Sequence, residues 1–298
     1  MTIGECAYWA CVLEATASKP GNVSPNRDFP TLRHEDFLQS AAAIAPVLDR
    51  APHQPVGQTI LECIQATRKV VNTNTNLGIV LLLAPLAAGD DIAKTLSALT
   101  VDDAFNVYQA IRMAEPGGLG HVNGQDVALT PTVTLREAMA LAADRDSIAR
   151  QYVNNFADVF AGAQHLHEWR AGSVSDRRSD SRLVVDGGAI ERLLRSLTLP
   201  TRLEEAIIQL HLWFLARFPD SLVLRKRGKF EALHLQGLAQ EALADATHLT
   251  ALEAWFSAKF PHRNPGTTAD LVCASLFVAL RTGIITLPLS SEWPTLPA

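Results

Sequence analysis

The sequence predicts an all-α protein, a single helical domain over residues 1–298 with about ten or more helices. Apolar residues recur at helical spacing along most of the 298-residue chain, alternating strand patterns are scarce, and Pro-Gly pairs fall between the helical runs. Phe37, Ala41, Ile44 and Leu48 share one helical face, as do Ile60, Ile64, Thr67 and Val71. Between these and the next periodic stretch lies the longest apolar run, Leu77 to Ala88. It carries Pro85 and is shorter than the roughly 20 residues that span a bilayer, so it is read as a core helix. A further face is formed by Leu203, Ile207, Leu210, Phe214 and Phe218, and the last apolar helix covers Val272 to Leu280. Only Ser181–Val185 and Ile284–Leu289 read as extended pieces, too little for a sheet-centred domain. The stretch at 171–185, which begins AGSVSDRRSDSR, has mixed charge and few apolar anchors and is expected to be an exposed loop. Punctuation falls at Lys19-Pro20-Gly21-Asn22, Glu115-Pro116-Gly117-Gly118, Phe218-Pro219-Asp220 and Asn264-Pro265-Gly266.

Composition narrows the function. The balance of 48% hydrophobic and 19% charged residues is that of a folded globular chain, and a net charge of −5 provides no basic field for nucleic acid or anionic membrane. The four cysteines, Cys6, Cys11, Cys63 and Cys273, form neither a CxxC pair nor a ligand cluster and are expected to pack as apolar residues in a reduced compartment. The N-terminus lacks a basic region ahead of an apolar one, and Glu5 and Glu14 interrupt it, so a cytoplasmic protein is expected.

Four segments hold polar residues suited to ligand chemistry. In Lys19-Pro20-Gly21-Asn22, proline fixes one φ angle and glycine frees the next, so Lys19 and Asn22 are presented at a tight bend; the alternative is a helix-ending turn with a solvated lysine. Asp28 and Asp36 follow within the next turns. In Asn72-Thr73-Asn74-Thr75-Asn76-Leu77-Gly78, the amides of Asn74 and Asn76 stand at the mouth of the apolar helix, where they cap it or meet a ligand. Between Asp220 and Gly228, Arg225, Lys226 and Arg227 are read as a short basic loop able to neutralise a polyphosphate, or simply solvated. Gly266, Thr267 and Thr268 open the last helix with amide and hydroxyl donors, and Asp270 in its first turn either complements the helix dipole or ligates Mg²⁺. A weaker group joins Glu115–His121 to Arg136, Glu137, Asp144, Arg145 and Asp146 on a following helix, where Glu137 and Asp144 would share a face. His165 and His167 are read as surface residues.

In this order, the Lys-Pro-Gly turn, the Asn-Thr-Asn helix start, the Asp220–Gly228 segment and the Pro-Gly-Thr-Thr-Ala-Asp-Leu helix start resemble the triphosphoribosyl-dephospho-CoA synthase family over Ala15 to Leu280. The resemblance implies an all-helical transferase that uses ATP and dephospho-CoA, in which the acceptor hydroxyl displaces adenine from the ATP ribose and the triphosphate stays attached. Such a displacement needs a carboxylate near C1′, a base and neutralised phosphates. The resemblance implies Asp28, Asp36 and Asp220 as the catalytic carboxylates and Asp270 with Glu137 as Mg²⁺ ligands. Lys19, Asn22, Asn74, Asn76, Arg225, Arg227, Gly266, Thr267 and Thr268 would bind the nucleotide. Where better-known members read Asn-Thr-His-Lys-Gly, this chain has Asn74-Thr75-Asn76-Leu77-Gly78, without the histidine and lysine. That departure places it near members from organisms that make tetrahydromethanopterin-type C1 carriers and leaves the acceptor as dephospho-CoA or another cofactor precursor such as a pterin. A nucleotide N-glycoside hydrolase and a noncatalytic nucleotide-binding assembly factor are the competing readings. The partners expected are small molecules, with a homodimer as the assembly.

Overall fold

The computed structural model describes residues 1–117, 124–172, 183–184 and 199–287. The chain starts with α1 (Ile3–Thr16), closed by a capping box in which Thr2 and Glu5 satisfy each other's backbone amides. There follow α2 (His34–Leu48), a short 3₁₀ turn at Ala51–His53, α3 (Val56–Val70), α4 (Leu77–Ala88), α5 (Ile92–Ser97) and α6 (Val101–Ala114). Next come α7 (Leu135–Ala140), α8 (Ser147–Val153), α9 (Ala157–Gly172), α10 (Thr201–Arg217) and α11 (Ser221–Arg227). The chain closes with α12 (Lys229–Ala244), α13 (Leu249–Ser257) and α14 (Gly266–Arg281). Two-residue strands β1 (Leu183–Val184) and β2 (Ile285–Thr286) pair in parallel, both inside the pieces the sequence marks as extended. The expected loop at 171–185 lies mostly outside the described residues; Ala171 and Gly172 end α9, and Leu183–Val184 form β1.

Helix α4 is apolar on every side, so it is stable only where every side is covered. It packs on α3, α8 and α14, and α14 in turn packs on α1, α9 and α10. Ile79 through Ala87 are all buried. Pro85 within α4 removes the N–H that would meet the Leu81 carbonyl. The Tyr152 hydroxyl donates to that carbonyl instead, at 2.7 Å from inside the core. A second, smaller cluster, including Leu212, Leu215, Val223, Leu235 and Phe256, is buried between α10 and α11–α13. All four cysteines are buried and free, as packing residues should be. Among the described residues no single helix is long and apolar enough to cross a membrane.

Buried carboxylates tie helix ends together. Asp103 accepts from the Thr100 amide and hydroxyl at its own helix start and from Gly57 N–H of α3 at 2.7 Å, which fixes α3 against α6. Asp220 caps α11 by accepting from Val223 N–H at 2.9 Å, and its other oxygen accepts from the Thr268 amide and hydroxyl, both at 2.8 Å. The stretch read as a short basic loop is therefore the helix α11, started by Asp220.

Candidate functional site

A cavity of about 910 Å³ opens where the N-terminal ends of α4, α8 and α14 meet the end of α1 and one side of α11. Its polar wall carries Glu14 from α1, Asn74 and Asn76 before α4, Asp146 before α8, and Thr267 and Asp270 from α14. Arg145, Arg225 and Lys226 bring positive charge to the same cavity, and the His262 ring also lines it. Phe29, Leu32, Phe37, Tyr108, Ile111 and Met139 make an apolar wall suited to a flat ring. Most of the polar groups sit beside helix starts because those starts leave unsatisfied N–H donors, which select short polar side chains.

The carboxylates of this wall differ in environment. Glu14 is 3% exposed and forms an ion pair with Lys19 at 3.0 Å, and Lys19 also donates to the Glu14 and Ala17 carbonyls. Asp146 caps α8 through Ile148 and Ala149 N–H and accepts from Arg225 Nη1 at 3.0 Å. Asp270 retains partial exposure through the cavity. Its carboxyl is held well above the usual carboxylate range, first by burial and then by the charges of Glu14, Asp220 and Asp146, with Arg225 opposing. Gly78 leaves room for this carboxyl, since a Cβ there would strike Asp270 Oδ2 and lie 2.7 Å from Ile148.

Seven residues expected at the site, Asn22, Asn74, Asn76, Arg225, Gly266, Thr267 and Asp270, do line the cavity. The others stand elsewhere. Lys19 is 1% exposed and turned inward onto Glu14, so it presents no charge at the Lys-Pro-Gly bend. The bend itself is as expected: Gly21 adopts φ +79°, Asn22 N–H donates to the Lys19 carbonyl, and His211 Nε2–H donates to the Pro20 carbonyl at 3.2 Å. Burial pushes His211 down to about 3, so this histidine is neutral. Asp28 accepts from His34 N–H, and Asp36 accepts from Arg33 N–H; both secure the start of α2. Asp220 and Thr268 satisfy each other in the core, and burial raises the Asp220 carboxyl despite three donors. Arg227 turns to Glu231, away from the cavity. Glu137 is exposed and closes the capping box of α7 with Thr134, so it does not join Asp270. Helix α7 ends at Ala140, so Glu137 and Asp144 do not share a helical face. His165 is not a surface histidine but a half-buried ring stacked on Trp213 at 5.1 Å. Sequence reasoning missed Glu14 as a cavity residue; its signal is a carboxylate five positions before a lysine in an otherwise apolar helix.

Carboxylates and cations line one large cleft on a scaffold made of helices, a site with the charge to hold a phosphorylated small molecule. The family model described as ATP:dephospho-CoA triphosphoribosyl transferase matches residues 1–186 and 183–285, and the chain belongs to this family of transferases. Its fold is similar to that of an Archaeoglobus fulgidus crystal structure described as a candidate triphosphoribosyl-dephospho-CoA synthase. The TM-score is 0.61 and the identity 22%, over 85% of this chain and 99% of that one. No curated protein matches the sequence.

Proposed function

We propose that the cavity binds ATP with its ribose C1′ toward Asp270 and Glu14 and its triphosphate toward the cations of α11 and Arg145, and that it transfers the triphosphoribosyl group to the hydroxyl of dephospho-CoA. The observation that carries this reading is that carboxylates and cations line the same cavity, with Asp270 and Glu14 among the former and Arg225 and Lys226 among the latter. The volume of about 910 Å³ lies within the range of roughly 300–1,000 Å³ usual for small-molecule sites, with the remainder of two substrates extending through the opening.

In the proposed reaction the acceptor oxygen forms a bond to C1′ while the C1′–N9 bond breaks, and the bonding pair leaves with adenine. The hydroxyl proton passes to the ionised form of Asp270, which burial and the neighbouring carboxylates disfavour and Arg225 favours, and ends on the departing adenine. Glu14, held by Lys19, supplies negative charge opposite the cationic ribose that develops. Among the described residues no three His, Cys, Asp or Glu side chains are grouped to hold a metal, and Glu137 is not beside Asp270. Magnesium therefore belongs to the reading as the counter-ion carried in by the triphosphate.

The test is incubation of the purified protein with Mg-ATP, with and without dephospho-CoA, following adenine by chromatography and any adduct by mass. Adenine and a triphosphoribosyl adduct formed only with dephospho-CoA support the reading. Release without an acceptor indicates a hydrolase, and release only with another hydroxyl-bearing cofactor precursor, such as a methanopterin-type carrier, reassigns the acceptor. No release under any of these conditions favours a binding protein.

A further inference from the structure

Three consecutive cations, Arg225, Lys226 and Arg227, lie at the end of α11, and the structure separates them. Arg227 pairs with Glu231 one turn on, outside the cavity. Arg225 lines the cavity but is engaged by Asp146 at 3.0 Å. A second tie joins the same two helices, where Ser147 N–H donates to Ser221 Oγ at 2.8 Å and Ser221 donates to Ser147 Oγ at 3.0 Å. Arg225 is thus part of a strut that holds α11 on α8. Arg145, the remaining arginine of the wall, rests on Asp144 and the Leu141 carbonyl. Lys226 lines the cavity with no hydrogen bond or ion pair among the described residues. Its stem lies over Gly117, where an added Cβ would come 3.3 Å from Cε and 3.6 Å from Nζ.

We propose that Lys226 is the residue that contacts the donor's phosphate chain, and that Arg225 is a positioning residue acting through Asp146 rather than a phosphate ligand. This assignment rests on the cavity being the nucleotide site, as proposed above. A free ammonium beside a paired guanidinium is the group that gains most from an incoming anion, because nothing has to be broken for it to bind. Lys226 is exposed at the cavity mouth, and the neighbouring Arg225 charge disfavours its ammonium, which an anion would relieve.

The experiment measures binding of inorganic tripolyphosphate, ATP and adenosine to the full-length protein by calorimetry, for the wild type, Lys226→Met, Lys226→Arg and Arg225→Met. Lys226→Met should weaken tripolyphosphate and ATP by about tenfold or more and leave adenosine unchanged, with Lys226→Arg restoring most of the loss. Arg225→Met should lower the melting temperature, as loss of a strut requires, and weaken all three ligands together. Equal affinity of wild type and Lys226→Met for tripolyphosphate overturns the assignment even if adenine transfer is confirmed. Lys226-dependent tripolyphosphate binding supports it even if the transfer assay fails, so the two readings fall separately. A wild type that binds neither anion overturns both.

Discussion

Replacing Asp220 separates a structural carboxylate from a catalytic one. Asp220 joins the starts of α11 and α14 by accepting from Val223 N–H, Thr268 N–H and the Thr268 hydroxyl at 2.8–2.9 Å, and it is 2% exposed. Asp220→Ala leaves two buried backbone donors without acceptors, at about 1–3 kcal/mol each, while the hydroxyl can turn elsewhere. Relief from burying a carboxylate offsets part of this, so the net loss should be about 2–5 kcal/mol. Asp220→Asn keeps one acceptor oxygen and should cost about half as much. Urea denaturation monitored by tryptophan fluorescence gives the stabilities, and adenine release under folded conditions gives the activity. If Asp220→Ala lost less than about 0.5 kcal/mol yet abolished turnover, the carboxylate would be acting on substrate, and its placement between two helix starts would not be its role.

Other substitutions probe the wall of the cavity. Gly78→Ala places a Cβ against Asp270 Oδ2 and Ile148, so turnover should fall about tenfold or more as the carboxyl is displaced; unchanged turnover would show that Asp270 need not sit there. Glu137→Ala should leave the magnesium dependence of turnover unchanged, because Glu137 is engaged with Thr134 at the surface; a raised magnesium requirement would restore it as a ligand. Asp270 makes stability depend on pH in a defined direction. Its folded-state proton affinity lies above the unfolded value, so the native state binds more protons than the unfolded one, and stability is lost as pH rises from about 4 through the folded-state value. Asp270→Asn should therefore raise the melting temperature at neutral pH, with the gain vanishing toward pH about 4; a lower melting temperature at pH 7 would contradict the charge crowding described.

Much of the fold can be read in the sequence because its strongest signals are local. An uninterrupted apolar run has no solvated face, so Leu77–Ala88 has to be a core helix, and its observed bounds coincide with the run. Asn74, Asn76, Thr267 and Asp270 were visible for a related reason: polar excess at the start of a buried helix has few other places to go. What escaped depends on direction and on distant partners. Each residue of a helix turns about 100° from the last, so three adjacent cations point to Asp146, the cavity and Glu231. Lys19 reads as a cation presented to a ligand, or solvated, beside Pro20-Gly21, yet α1 ends so that Glu14 lies within reach and draws the lysine inward. Asp220 and Thr268 are separated by 48 positions, and their mutual satisfaction appears only when α11 and α14 are packed. Where α7 stops, at Ala140, removed the face that Glu137 and Asp144 would have shared.

The proposed role of Asp270 is to take the proton of the acceptor hydroxyl in the cavity. Its most direct test is single-turnover adenine release from Mg-ATP with dephospho-CoA, for wild type and Asp270→Asn side by side, with ATP affinity measured on both. The account predicts ATP binding within a few-fold of wild type and adenine release slowed by about 10²–10⁴, the usual worth of a positioned base. Adenine release by Asp270→Asn at the wild-type rate would contradict it.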